Sequence, residues 1–269
     1  MTYPTALTIA GSDSGGGAGI QADLRTFAFQ QVHGTSAITC VTAQNTVGVQ
    51  RVDPLPPEAV CAQIESVMDD IGVQGVKTGM LLNAGIIQAV GRMIETYQLQ
   101  SRLILDPVMV SRSGAQLLDD SAVAALEQLI PLAALITPNC YEAQILSGLD
   151  NIKTLDEMKS AAEIMVRNGA RAVLVKGGAI SGELRGIDVW FDGEAFDILR
   201  AKAVETKNNH GTGCTLSAAI AAQIALGKDL KTAIKTAKQY ITTALESALD
   251  LGAGSGPVGH FFPLQRQNQ

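Results

Sequence analysis

Apolar residues recur along this chain in two alternating rhythms. Short, nearly continuous apolar runs at 6–10, 36–42, 75–79, 102–106, 134–137 and 172–176 are too brief for helices and read as strands buried on both faces. Between them, 20–29, 57–71, 84–97, 121–129, 139–147 and 155–168 have helical apolar spacing, with Pro57 at the front of the second. Segments 186–191 and 194–199 flank Asp192-Gly193, which predicts a hairpin. From 212 to 251 the pattern predicts two or three helices, and the small apolar run 216–222 marks the first of them as buried. Strand and helix in alternation predict an α/β fold, three layers (αβα) around a mostly parallel sheet, with sites at the strand C-termini. No repeat, low-complexity block or composition break interrupts it. Residues 1–264 therefore read as a single domain and the polar 265–269 as a frayed tail.

Two glycine-rich segments break the rhythm where chemistry is expected. Gly11-Ser-Asp-Ser-Gly-Gly-Gly-Ala-Gly19 follows the first strand and precedes a helix, the shape of a ligand loop at a strand end. It lacks the Gly-Lys-Ser/Thr ending of a Walker loop, and its glycines do not fall on the dinucleotide spacing. The second segment is His210-Gly-Thr-Gly-Cys214, opening a helix near Cys214. Gly211 and Gly213 allow a tight turn, and the helix start offers unpaired N–H groups to an anion. The same environment is expected to lower the pKa of the Cys214 thiol toward neutrality. A base beside an anion cradle is what phosphoryl transfer to an alcohol requires. A loop capping a core helix, with a small buried cysteine, is the competing reading.

Composition narrows the class. The 269 residues suffice for one large α/β domain, and no apolar run approaches a membrane span. The first residues carry no secretory signal pattern. A formal charge of −6 gives no reason to expect a nucleic-acid surface. The cysteines at 40, 61, 140 and 214 show no Cys-x-x-Cys spacing, which argues against zinc and a disulfide framework. Free thiols fit the cytoplasm, with Cys40, Cys61 and Cys140 as core filler.

In order along the chain come residues 10–23 around the first loop, Ala43-Gln-Asn-Thr46, Lys77-Thr-Gly-Met80 and Leu105-Asp-Pro-Val-Met109. Ile136-Thr-Pro-Asn139 with Glu142, Lys176-Gly-Gly178 and the His210–Cys214 loop follow. Together they resemble the ribokinase superfamily, and within it the hydroxymethylpyrimidine/phosphomethylpyrimidine kinases of thiamine biosynthesis, from Leu7 to about Phe262. The resemblance implies a ribokinase-like fold, ATP and Mg²⁺ as cofactors, a small pyrimidine substrate and a homodimer. It makes Cys214 the base, with Gly211, Thr212 and Gly213 donating to the transferring phosphoryl group. Lys176, ending a strand, would reach phosphate oxygens; where the family's pattern continues with His, this chain has Ala179. Asp188 is similar to a nucleotide-side position. Glu142 and Asp106 would serve Mg²⁺, through water, and either can equally be a helix cap or surface carboxylate. Gln44, whose amide both donates and accepts, suits the edge of an aminopyrimidine. Gly11, Ala18, Met80 and Val108 resemble the wall of that pocket; Asp23 would orient the loop or approach the substrate. His210 reads as loop structure, and His33 and His260 as structural or exposed.

The implied reaction moves the γ-phosphoryl group of ATP to the hydroxymethyl oxygen of 4-amino-5-hydroxymethyl-2-methylpyrimidine, then to the resulting monophosphate. A pyridoxal or pyridoxine kinase of the same superfamily is the nearest alternative, against which the intact Gln44-Asn45-Thr46 speaks. A non-catalytic nucleotide- or pyrimidine-binding protein is another, against which Cys214 and Lys176 speak. The length implies a kinase without a fused thiamine-phosphate synthase domain.

Overall fold

Alternation of side chains along the short strands decides the layering. The computed structural model describes residues 3–109, 118–178 and 184–266. Its strands are β1 (Thr5–Ala10), β2 (His33–Ile38), β3 (Cys40–Asn45), β4 (Gly48–Pro54), β5 (Gly75–Thr78), β6 (Leu103–Leu105), β7 (Leu135–Ile136), β8 (Val173–Lys176), β9 (Ile187–Phe191) and β10 (Phe196–Arg200). The helices are α1 (Gly19–Phe29), α2 (Pro57–Asp70), α3 (Ala84–Thr96), α4 (Asp120–Leu129), α5 (Cys140–Ser147), α6 (Leu155–Arg167), α7 (Thr212–Ala225), α8 (Leu230–Glu246) and α9 (Phe262–Arg266). Among the described residues, eight strands form one sheet in the order β10-β9-β8-β7-β6-β5-β1-β2. From β2 through β8 the pairing is parallel. The predicted hairpin of β9 and β10 adds the antiparallel edge.

Leu7, Ile9, Val76, Leu103, Leu105, Val173 and Val175 project to one face, where they bury against α2 through α6. Ala6, Ile104, Leu135, Leu174 and Trp190 project to the other, under α1, α7 and α8. The three expected layers follow. Period two also sends Thr8 within β1, Lys77 near the end of β5, Asp106 just past β6 and Lys176 at the end of β8 to the α1–α7 face. Gly75 lies so close under α7 that a Cβ there would overlap the Ala221 carbonyl.

Helix starts divide into two kinds. Asn83, Asp119, Asn139, Thr154 and Asp229 cap α3, α4, α5, α6 and α8 with their side chains, and α5 and α6 carry full capping boxes through Glu142 and Glu157. By contrast, α1 begins on Ala18 and α7 on Gly211 with no side-chain cap. Their first-turn N–H groups are left to other acceptors.

Three expectations need correcting. The run 36–42 is not one strand: the chain leaves the sheet edge at buried Thr39, whose hydroxyl donates to the Met80 carbonyl at 2.7 Å, and continues as β3. The polar strand β4, absent from the sequence reading, pairs with β3 in a separate two-stranded ribbon. Its seven residues are all exposed, so no buried face announced it. Gln265 and Arg266, read as tail, lie in α9, while 267–269 fall outside the described residues, as does Ala179.

Candidate functional site

The first glycine loop is built around Asp13, a residue the sequence reading passed over. Its buried carboxylate accepts from the backbone N–H groups of Gly15 (2.9 Å), Gly17 (3.0 Å) and Ala18 (2.8 Å). Arg25 donates to the Gly16 carbonyl from α1 and braces the turn from behind. Aspartate with glycines two and four residues on was the available signal.

His210 ties the two loops together. Its Nε2 lies 2.8 Å from Asp13 Oδ2 and 3.2 Å from the Gln44 amide nitrogen. Burial works to raise the Asp13 carboxyl, yet the His210 hydrogen bond and the Ala18 and Gly15 amides hold it below its ordinary value. With Asp13 ionised, that ring nitrogen carries the proton and donates, so the Gln44 amide is best satisfied with its oxygen toward His210. The reading of His210 as loop structure agrees with this placement. His33 is exposed, whereas His260 is buried and Thr215 Oγ1 contacts its Nε2 at 2.8 Å.

Gly211 has φ of 81° and packs against the first loop so closely that a Cβ would overlap the Gly17 carbonyl oxygen. Thr212 turns back to the Asn209 carbonyl, its hydroxyl donating at 2.7 Å and its N–H at 3.4 Å. A Cβ on Gly213 would stand 3.4 Å from Lys176 Nζ, which puts the lysine at the mouth of α7. Cys214 follows and is half-buried. Two helix starts without side-chain caps thus meet through Gly211 and Ala18. The expected drop in the pKa of Cys214 does not occur. Burial pushes the thiol up to about 11, outweighing the pull of Lys77 and the Gly19 amide, while Asp23 and Asp106 add to the rise.

Alternating charges run beneath these loops. Lys176 Nζ donates to Asp106 Oδ1 at 2.8 Å, and Ser217 of α7 donates to Asp106 Oδ2 at 3.2 Å. Burial opposes both charges, but Lys176 and Lys77 hold the Asp106 carboxyl low, and Asp106 and Glu142 hold the Lys176 ammonium high. Asp106 is thereby committed to its lysine, which weakens its expected part as a metal partner. Glu142 closes the capping box of α5 by accepting from the Asn139 N–H at 2.8 Å. It is also buried, and that burial raises its carboxyl to about 7. Among the described residues no three His, Cys, Asp or Glu side chains gather as a metal cage. Asp188 accepts from Lys238 Nζ at 2.6 Å and from the Gly177 N–H at 3.2 Å, so it shapes the turn that follows Lys176.

On the acceptor side, Gly11, Met80 and Cys40 meet: a Cβ on Gly11 would stand 2.6 Å from Cys40 Sγ and 2.9 Å from Met80 Cε. Ala18 caps α1 against Gly211. Val108 is half-buried just past β6. Asp23 does not join this wall. It is fully buried, accepting from Thr8 Oγ1 at 2.6 Å and from Lys77 Nζ at 2.8 Å, so it has no surface toward a substrate. Lys77 lies in the Lys77–Met80 motif but received no role from the sequence; it is the third residue of the four-residue β5.

Two glycine loops that meet at the starts of α1 and α7, with the Lys176 ammonium beside Gly213, suit a small-molecule kinase of the ribokinase-like class. Comparison with known proteins agrees. Residues 13–259 match the family described as phosphomethylpyrimidine kinase. Over 265 residues the chain is 55% identical to a hydroxymethylpyrimidine/phosphomethylpyrimidine kinase of Synechococcus elongatus, covering 98% of this chain and 100% of that one. The ADP complex of Bacillus subtilis pyridoxal kinase superposes with a TM-score of 0.89 at 41% identity, covering 96% of this chain and 97% of that one. Phosphomethylpyrimidine kinase from Clostridium difficile superposes with a TM-score of 0.80, also at 41% identity, covering 90% and 99%. The chain belongs to the phosphomethylpyrimidine kinase family.

Proposed function

We propose that this protein transfers the γ-phosphoryl group of ATP to the hydroxymethyl oxygen of 4-amino-5-hydroxymethyl-2-methylpyrimidine, and a second one to the resulting monophosphate. The observation that carries the reading is the close approach of the starts of α1 and α7, Gly211 against Gly17 and Ala18, with Lys176 beside Gly213 and Gln44 joined to the same loops through His210. In the first transfer the substrate O–H proton passes to the Cys214 sulfur as its oxygen bonds to the γ-phosphorus. The bond from phosphorus to the β-bridging oxygen breaks, and its electron pair leaves with ADP. The amides of Gly211, Thr212 and Gly213 receive the equatorial oxygens of the moving group, and Lys176 supplies positive charge. In the second transfer the acceptor is already an anionic phosphate oxygen, so no strong base is needed. Gln44 reads the pyrimidine edge, and Gly11, Ala18, Met80 and Val108 flank the ring.

Magnesium fits Glu142. A carboxylate raised to about 7 by burial lacks full compensation, and hard oxygen donors few in number suit an ion that keeps its waters. Mg²⁺ would neutralise phosphate charge there, while Asp106 holds Lys176 in place. Asp188 fixes the Gly177 turn on the nucleotide side.

The deciding experiment is ADP release measured with hydroxymethylpyrimidine, its monophosphate and pyridoxal, each with and without magnesium. Turnover of both pyrimidines well above pyridoxal is expected. Preference for pyridoxal would favour the second reading, which the likeness to a pyridoxal kinase keeps in play. No ADP release with any of the three acceptors would leave a binding protein.

The assembly we propose is a homodimer joined through the β3–β4 ribbon. Val41, Val47, Val49 and Val52 are 48%, 71%, 49% and 37% exposed there, and a two-stranded ribbon alone is marginal in water. All four cysteines are free thiols, which fits a cytoplasmic enzyme. Among the described residues no helix is long and apolar enough to cross a membrane.

A further inference from the structure

The backbone of Gln44 is fixed by the first glycine loop, which leaves only the orientation of its amide to be set. The Ser14 hydroxyl donates to the Gln44 carbonyl at 2.7 Å and accepts the Gln44 N–H at 2.8 Å. The side chain is half-buried, with Thr42 Oγ1 3.5 Å from one end of the amide and His210 Nε2 3.2 Å from the other. The two ends of an amide are alike in shape, so their neighbours decide which is oxygen. Thr42 uses its hydroxyl proton on the Ser12 carbonyl at 2.7 Å, and toward Gln44 it can only accept. His210 is constrained in the opposite sense. Asp13 takes three backbone N–H groups and lies 2.8 Å from Nε2, so it stays an anion and that nitrogen keeps its proton. Toward Gln44, Nε2 is therefore a donor. Both neighbours give one answer: oxygen at His210, nitrogen at Thr42. The ring is seated on Gly17, where a Cβ would overlap it. Its backbone is anchored separately, N–H to the Gly256 carbonyl at 3.1 Å and carbonyl to the Val258 N–H at 3.3 Å.

We propose that His210, held by Asp13, fixes the Gln44 amide and thereby makes the enzyme select an aminopyrimidine acceptor over a pyridine one. His210 is a positioning residue here, since it acts on the substrate only through Gln44. The proposal rests on Gln44 as the reader of the pyrimidine edge. With the amide fixed, one N–H and one oxygen lone pair remain side by side on its free edge. An aminopyrimidine offers the complement, a ring-nitrogen acceptor beside an amine donor. Turned end for end, the amide would set donor against donor and acceptor against acceptor. Pyridoxal has no such pair of groups and gains nothing from the fixed orientation. The loops themselves have a second tie in the contact of Gly211 with Gly17, so selection and loop bracing can be separated.

The test is steady-state kinetics of the first transfer with hydroxymethylpyrimidine and with pyridoxal. His210→Phe should raise KM for hydroxymethylpyrimidine about tenfold, roughly the worth of one lost hydrogen bond, with kcat and the pyridoxal constants nearly unchanged. His210→Gln, which returns a donor near the position of Nε2, should recover part of the loss. Gln44→Leu should raise the same KM, and His210→Phe should add little to it in that background. A loss carried by kcat, or shared equally by pyridoxal, would mean that His210 only braces the loops, and would overturn the proposal. If Gln44→Leu leaves KM unmoved, the pyrimidine-edge reading falls and takes the proposal with it. If Gln44→Leu raises KM and His210→Phe does not, the proposal alone falls. Should His210→Phe fail to fold, the unaltered enzyme decides. Nitrogen NMR of its three histidine rings should show His210 Nε2 protonated at neutral pH, and a bare Nε2 would overturn the proposal.

Discussion

At Cys214 the burial that disfavours the thiolate also makes it a stronger base once formed. With the thiol near 11, its ionised fraction grows about tenfold for each pH unit between 7 and 9. The kcat/KM of the first transfer should climb with that slope, and that of the second should stay nearly flat. A first-transfer profile levelling off near neutrality would identify another base. Cys214→Ala should reduce the first transfer by about 10²–10⁴-fold, the usual worth of a positioned base, and the second far less. Separate assays of the two half-reactions check this, and equal losses would contradict the assignment. Glu142 gives a prediction of a different kind. Its folded carboxyl is raised from 4.5 to about 7, so the stability it contributes is full below 4.5 and is lost as pH rises through 7. Glu142→Gln, which still offers an oxygen to the Asn139 N–H, should gain roughly 1–3 kcal/mol at pH 8 and almost nothing near pH 4. Its catalytic rate should fall at the same time. Urea melts at the two pH values measure the gain; equal stability at pH 8 would place Glu142 in a merely structural role.

Among the elements, the start of α7 carries the most constraint. Gly211 has a positive φ and sits against the Gly17 carbonyl, so Gly211→Ala faces both strain and collision. A loss of about 2 kcal/mol or more is expected, together with separation of the two loops and a steep fall in both transfers. Normal turnover in that variant would mean that the loops need not converge. One residue past the cysteine, Thr215 meets His260, whose ring is held down to about 4 by burial, with Arg25 adding to the drop. A ring neutral in the folded state and ordinary at 6.5 when unfolded costs stability as pH falls from 6.5 toward 4, by about 3 kcal/mol. His260→Gln should flatten that acid loss in melts taken over the same range. The sequence showed the helix and its glycines but not His260, because 45 residues separate the ring from the hydroxyl it meets. The strand C-termini were legible for a simple reason: alternation puts a polar residue on a known face at a known end. Asp23 misled because a carboxylate beside a glycine loop looks the same in sequence whether it points outward or, as here, toward a buried lysine.

For the molecule as a whole, the exposed ribbon is the feature with the clearest consequence. Val41→Lys with Val47→Asp should convert a sedimenting dimer to monomer, since both side chains stand in water here and Val41 lies on the ribbon face opposite Gln44. Unchanged sedimentation would place the interface elsewhere. The polar strand β4 escaped the sequence reading because a strand with no buried face has no periodicity to read. The layered fold, the order of most elements, the two glycine loops and the polar strand ends were determined by the sequence itself, because each follows from local spacing and from which side of a strand must be apolar. Tertiary structure alone decided the ionisation of Cys214, the inward turn of Asp23 and the bracing of both loops by Asp13 and His210. Each of those depends on how much water, and which distant charge, surrounds a group after strands and helices remote in the chain have packed together.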